Sequence, residues 1–427
     1  MRDKIKILKN KKSLMDIVKL SSIQIVLRPL QIIKSFVVAK YLGPESYGIL
    51  KSVELIAMLN KFGSLGFKPT IIRNGITAMA KGDINELKSI KDNAYSGELV
   101  LSFILLLFGI ISSFFFDNKI IVSAILLASV GLFTAKMFGI FQTELQLNKN
   151  FGSLAKVILY QGILNSVFVM VLVPFFNIHA VLMVPIISSP IIIYLAYKKT
   201  GNFFSLKIDR IGIKKILKVS IPFTFGTLAY GLFRYTERTI VIIFMGLKAT
   251  GFFGFADTIA NIFITLMLGS VMKVRSIKLF EYLGKKKYLQ THRMVIKETS
   301  ILVGISFVII LGLAIGMKLL IPQILPKWEG AILATIIYSF VIPIKLSSSY
   351  IASVIKSPTV NELNFEPIMQ IISTFIIIIG ATILHYNDSL SLNNYILIIL
   401  IALLFLHSGY IVFYYFKYYL PYIKIKS

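Results

Sequence analysis

The chain has 427 residues, 56% of them hydrophobic and only 15% charged, with a mean hydropathy of +0.80. A soluble domain carries about a quarter charged residues, so this composition excludes one and points to a membrane protein. The formal charge of +27 raises nucleic acid as a partner, but a chain made of membrane spans offers no module to hold a duplex, and the lack of cysteine excludes disulfides and thiol chemistry.

In chain order, the basic segment RDKIKILKNKK leads into a first apolar stretch with no small-residue cleavage site, read as a retained span rather than a removed signal peptide. Stretches 14–39 and 48–70 have the length and apolar bulk of membrane helices but carry charges inside. Cleaner runs follow at 99–116, 120–141, 157–176 and 178–197, then two more interrupted stretches at 219–244 and 251–272, then clean runs at 299–317, 331–344, 368–384 and 395–416. Most approach the roughly 20 residues that cross a bilayer as helix. The expectation is an all-α integral membrane protein of about 12 helices: an N-terminal lobe of helices 1–6 over 1–200, a cytoplasmic linker over 201–218 and a C-terminal lobe of helices 7–12 over 219–427.

Charge sets the orientation. If loops alternate sides from the N-terminus, segments 1–13, 73–93, 142–152, 198–218, 273–297, 355–366 and 417–427 share one side and carry 30 Lys and Arg, against 3 on the other side. That asymmetry places both termini in the cytoplasm. Basic runs such as KKILK near 214 and GKKKYLQTHR at 284–293 are then topology signals beside anionic lipid heads.

The chain also repeats itself. Shifted by 203 residues, 11–66 superposes on 214–269 with ten identities in 56 positions, where about four are expected by chance. The turn glycines Gly43 and Gly48 fall on Gly246 and Gly251, and Glu54 falls on Asp257. Six spans per half leave both halves in the same orientation, which implies a parallel repeat about an axis along the membrane normal.

The interrupted spans are the first two of each half, and such matched interruptions point to a substrate site between repeats. Lys51 and Glu54, then Lys61 and Lys68, make one helix face polar; Arg234, Glu237 and Arg238 are spaced i, i+3, i+4; Asp257 and Asn261 are i, i+4; the first span adds Lys19, Arg28 beside Pro29, and Lys34. A charge at the bilayer centre costs a few kcal/mol, so these faces are expected to line a polar cavity with a basic excess. Plainer readings stand beside this one. Lys19, Lys40 and Lys68 near helix ends are better explained by snorkelling to the interface. Glu237 with Arg234 or Arg238 serves equally as a structural ion pair. The four histidines show no metal-ligand spacing.

YLGPESYG followed by GSLGF, then IPF, TER and the glycine-aromatic GFFGFA, resembles the Wzx-type polysaccharide flippases of the multidrug/oligosaccharidyl-lipid/polysaccharide exporter (MATE-like) superfamily. The resemblance runs over the whole chain in topology, with its short motifs in 38–67 and 219–257. It implies two six-helix lobes related by a pseudo-two-fold, V-shaped around a central cavity. It also implies translocation of undecaprenyl-pyrophosphate-linked oligosaccharide units from the cytoplasmic to the outer leaflet of the bacterial inner membrane, for polysaccharides such as O-antigen, lipopolysaccharide or capsule. Members often have an aspartate-arginine pair where this chain has Glu237-Arg238. The cationic cavity maps by position and charge onto Arg28, Lys34, Lys51, Lys61, Arg234 and Arg238, with Glu54, Glu237, Asp257 and Asn261 as ion-coupling or charge-balancing groups. Glu54 or Asp257 could bind a proton or sodium ion, or neutralise a nearby cation; no other cofactor and no metal are implied. Membrane lipids, a polysaccharide polymerase and a chain-length regulator are the expected partners.

Rival readings come from inside and outside the superfamily, among them a lipid II flippase, which is close in substrate but usually adds two further helices for which this chain has no room. A drug or cation antiporter of the same superfamily favours carboxylates and aromatics in its cavity. A membrane glycosyltransferase or polymerase needs a catalytic loop or extramembrane domain, whereas every inferred outer loop here has about eight residues or fewer and no D-x-D motif is present.

Overall fold

The computed structural model describes the backbone of residues 2–62, 66–201, 206–272, 278–279, 281–283, 285, 287–356 and 364–420, with side chains there except at 2–22, 24–25, 56–62, 69, 73, 80, 219, 222–223 and 269–271. Among the described residues the chain is helical, without strands. In order these are α1 (Arg2–Phe62), α2 (Phe67–Lys81), α3 (Ile84–Ser113), α4 (Lys119–Leu147), α5 (Phe151–Phe176), α6 (Ile178–Thr200), α7 (Arg210–Leu266), α8 (Tyr288–Ile324), α9 (Ile332–Tyr338), α10 (Val341–Ser347), α11 (Ser349–Ile355), α12 (Phe365–Tyr386) and α13 (Leu392–Tyr414).

Nine of the described elements are long and apolar enough to cross a membrane. One of them, 224–266, is the kinked α7 and contains two arms, and α1 breaks the same way into two more. That gives the twelve spans expected. The breaks fall at Gly43 (φ 68°, ψ 171°) and Gly246 (φ 78°, ψ −176°), a backbone region essentially closed to residues with a Cβ. The connection between the first two arms of each repeat is therefore a single glycine, tighter than the loops 41–48 and 245–250 that the sequence suggests. Pro44 opens the second arm of α1, where its missing N–H has no intrahelical partner to lose.

The described chain forms two compact units: residues 1–42 with 52–231, and residues 43–51 with 232–427. In the first unit α4 packs on α3 and α6, α5 on α6, and α2 on α3. Asp83, Asn118 and Asn150 cap the N-termini of α3, α4 and α5 by accepting backbone amides, which satisfies donors that the helix leaves open. Phe103, Phe108 and Ile111 on α3 stay exposed, as lipid-facing side chains do.

The second unit packs α10 on α8, and α9 and α10 on α13, around a core that includes Val241, Phe253, Tyr338, Ile342 and Tyr395. Its span 326–355 is broken into a 3-10 turn and three short helices. Pro343 offers no amide to the carbonyl of Ser339, which takes the amide of Ile342 at 2.9 Å instead. The segment 43–51 lies inside this unit. A Cβ on Gly48 would sit 1.9 Å from the carbonyl oxygen of Leu247, and one on Gly251 would sit 1.9 Å from that of Pro44. The 203-residue offset exchanges these two contacts, so the second arms of α1 and α7 cross about a local two-fold. Trp328, 1% exposed, covers the crossing with its ring 5.2 Å from that of Tyr47 and 4.7 Å from that of Phe255.

Candidate functional site

The two arms of α7 carry the densest buried charge in the second unit. Helical spacing puts Arg234, Glu237 and Arg238 on one face of the first arm, and Asp257 and Asn261 on one face of the second. In the folded unit these faces meet. Arg234 Nη2 donates to both oxygens of Asp257 at 2.7 and 2.6 Å, and Arg238 Nη2 donates to Asp257 Oδ2 at 2.9 Å. Arg234 Nη1 reaches Glu237 Oε2 at 2.5 Å. The Asn261 amide donates to Asp257 Oδ1 at 2.6 Å, and the Tyr338 hydroxyl donates to the same oxygen at 3.0 Å. Tyr395 on α13 donates to the backbone carbonyl of Glu237 at 3.1 Å, fixing the first arm. Lys345 on α10 is near enough for its charge to act on Arg234, Glu237 and Asp257.

Both arginines are 5% exposed, Asp257 is 2% exposed and Glu237 fully buried. Four charges out of water require close pairing, because the desolvation penalty is otherwise several kcal/mol per ion. Asp257 has that pairing on both oxygens, whereas Glu237 Oε1 is buried without a hydrogen-bond partner among the described residues. Chemically the arrangement is an anion seat: two guanidinium groups, a phenol and an amide converge on a carboxylate. The same donors in the same geometry suit a phosphate oxygen.

The remaining predicted residues are placed as follows. Lys51 is buried in the second unit, its ammonium 5.1 Å from the centre of the Tyr47 ring and its stem against Gly254, one turn before Asp257. Arg28, Lys34 and Glu54 belong to the first unit and are each half-buried; Arg28 donates to the Gln31 side chain at 2.9 Å. Lys61 lies on α1, but its side chain is outside the described residues. Thus the structure assembles Arg234, Glu237, Arg238, Asp257 and Asn261 in one network and places Lys51 beside it.

Sequence reasoning passed over a second charged interior, in the first unit. Lys136 Nζ lies 3.4 Å from Glu98 Oε1, and Lys91 Nζ lies 2.8 Å from Glu144 Oε1. Glu144 also accepts from the Tyr95 hydroxyl at 3.0 Å and the Asn148 amide at 2.9 Å. Lys91, Tyr95 and Glu98 follow the i, i+4, i+7 face of α3, while Lys136 and Glu144 lie about two turns apart on α4 and Asn148 caps its C-terminus. This periodicity was the available signal. Lys136 was hidden in the apolar run 120–141, and Tyr338 and Tyr395 carry no charge to draw attention.

Among the described residues the architecture is helical and multi-pass with paired kinked helices, and its fold is similar to those of solved membrane proteins. It is similar to an inward-facing multidrug resistance MATE family transporter of the MOP superfamily, with a TM-score of 0.69 at 17% identity over 92% of this chain and 97% of that one. It is also similar to the lipid II flippase MurJ in its inward closed conformation, with a TM-score of 0.73 at 14% identity over 92% and 87%. A MOP superfamily transporter from Pyrococcus furiosus, described as having a binding pocket of reverse polarity, gives 0.60 at 16% identity over 93% and 94%. Residues 13–275 match the family model described as polysaccharide biosynthesis protein, and the chain belongs to that family. Among curated proteins none matches the sequence.

Proposed function

We propose that the protein is a flippase that carries undecaprenyl-pyrophosphate-linked oligosaccharide units across the bacterial inner membrane by alternating access, a transporter rather than an enzyme. Both termini are in the cytoplasm, and along the chain an N-terminal lobe over 1–200 is followed by the linker 201–218 and a C-terminal lobe over 219–427. The observation that carries the reading is the buried Arg234–Arg238 pair closed on Asp257, on repeat-defining helices of a member of the polysaccharide biosynthesis family. A pyrophosphate and its sugars face about 30 Å of hydrocarbon, where dehydration is prohibitive without a polar passage. Arginine supplies bidentate, charge-assisted donors for the diphosphate, while the prenyl tail stays in lipid. By sequence position, Arg28, Lys34, Lys51 and Lys61 are further cations available to the diphosphate. Glu237, Asp257 and Glu54 balance the cationic charge, Asn261 donates to Asp257, and proton or sodium coupling runs through Glu54 or Asp257.

The test is translocation of a fluorescent lipid-linked oligosaccharide in proteoliposomes. Arg238→Gln and Arg234→Gln are expected to reduce initial rates by tenfold or more at equal protein abundance, since each removes a charge-assisted contact worth roughly 1.5–3 kcal/mol. Normal rates in both variants, or equal transport of a cationic drug, reject the reading.

A further inference from the structure

The first unit holds a charge cluster that the flippase reading leaves without a role. Lys68 comes from the start of α2, Glu98 from the middle of α3 and Lys136 from the middle of α4. Lys81, Ile84 and Leu147 end these helices on the side of the basic loops. Counted from there at 1.5 Å per residue, the three side chains lie at one level, roughly 17–21 Å along their helices. Lys136 and Glu98 are buried, and their 3.4 Å contact is longer than the roughly 2.7–2.9 Å of a tight charge-assisted hydrogen bond. Lys68 is half-buried, and its charge acts on both.

One carboxylate under the charge of two cations is also the arrangement at Asp257. There the arginine fork grips both oxygens; here two lysines act as point charges on a loosely held glutamate. A lysine this deep costs a few kcal/mol and marks a functional position by default. An ammonium with three rotatable donors can turn from a carboxylate to a phosphoryl group with little loss, and half-buried Lys68 gives the incoming group a first contact.

We infer that Lys68, Glu98 and Lys136 form a second anion site, which takes the phosphate of an amphiphile's head group while Glu98 acts as the resident anion that gives way. For the identity of its ligand this rests on the proposed function, which supplies a diphosphate passenger. A membrane phospholipid offers the same chemistry.

The experiment measures binding to the full-length protein in nanodiscs of zwitterionic lipid. A short prenyl diphosphate, inorganic pyrophosphate and phosphatidylglycerol are titrated in turn against the wild type, Lys136→Gln, Glu98→Gln and the double variant. Loss of a charge-assisted contact gives roughly tenfold weaker binding in Lys136→Gln, and removal of the competing carboxylate gives several-fold tighter binding in Glu98→Gln. The opposite signs separate an anion site from a structural pair, which weakens in both. If Lys136→Gln does not fold, the double variant, a neutral amide pair, carries the test and must lose the gain of Glu98→Gln. Tightening with the prenyl diphosphate or pyrophosphate assigns the passenger; tightening with phosphatidylglycerol alone assigns a lipid head group. Binding in Glu98→Gln that is unchanged or weaker overturns the site. If Arg238→Gln still weakens diphosphate binding in that case, the flippase reading stands without it.

Discussion

The charged interiors of the two units use one pattern with different chemistry. In the second unit, arginine closes on Asp257 at 2.6–2.9 Å, and Tyr338 and Asn261 complete the carboxylate's shell. In the first, lysine approaches Glu98 at 3.4 Å. A guanidinium fork fixes the orientation of its partner, whereas an ammonium fixes only distance. The difference teaches that two buried cations at nearly equal burial can hold a carboxylate with or without a fixed orientation, according to the geometry of their donors.

The largest expected effect comes from Asp257→Ala, which removes the carboxylate shared by two buried guanidinium groups and should destabilise the protein by about 3–5 kcal/mol. Thermal unfolding in detergent should show this as a collapse of the midpoint or of folded yield, with a smaller loss in Glu98→Ala. Equal losses would erase the distinction between the two interiors. Arg238→Lys comes next: charge stays but the planar donor geometry goes, for about 1–2 kcal/mol by the same assay. Lys136→Arg, the mirror change, would sharpen the contrast by holding Glu98 more firmly and slowing anion exchange. Tyr338→Phe removes one hydroxyl donor from Asp257 and should lower stability by about 1 kcal/mol. Smallest is the apolar replacement Glu98→Leu with Lys136→Met, expected within about 1 kcal/mol of the wild type because the pair's desolvation is removed along with its attraction. Its phosphate binding should nonetheless disappear.

Much of the second unit's network was legible before any coordinates. Arg234, Glu237, Arg238 and Asp257 are conspicuous because charge is rare in apolar spans, and their i, i+3, i+4 spacing fixes the shared face. The pairing of Gly43 with Gly246 was legible for a different reason: only a glycine tolerates the backbone found there, so the requirement survives when side chains diverge. Lys136 was not, since one lysine hardly alters the mean of a long apolar run. Its partner Glu98 sits just before the run at 99–116, on a different helix. Nor does composition show where span 326–355 breaks, because Pro343 and the serines around it act through backbone bonds rather than hydropathy. Tyr338 and Tyr395 are found only by following the acceptors they satisfy.

The crossing at Gly48 and Gly251 is made of carbonyl oxygens against bare Cα atoms. Such a joint has no proton to titrate, no ion to screen and no rotamer to turn, so acidity and ionic strength leave it untouched. Only bulk acts on it, and the series Ala, Ser, Val at either glycine is a set of graded wedges whose effects should match at the two sites, because the local symmetry interchanges them.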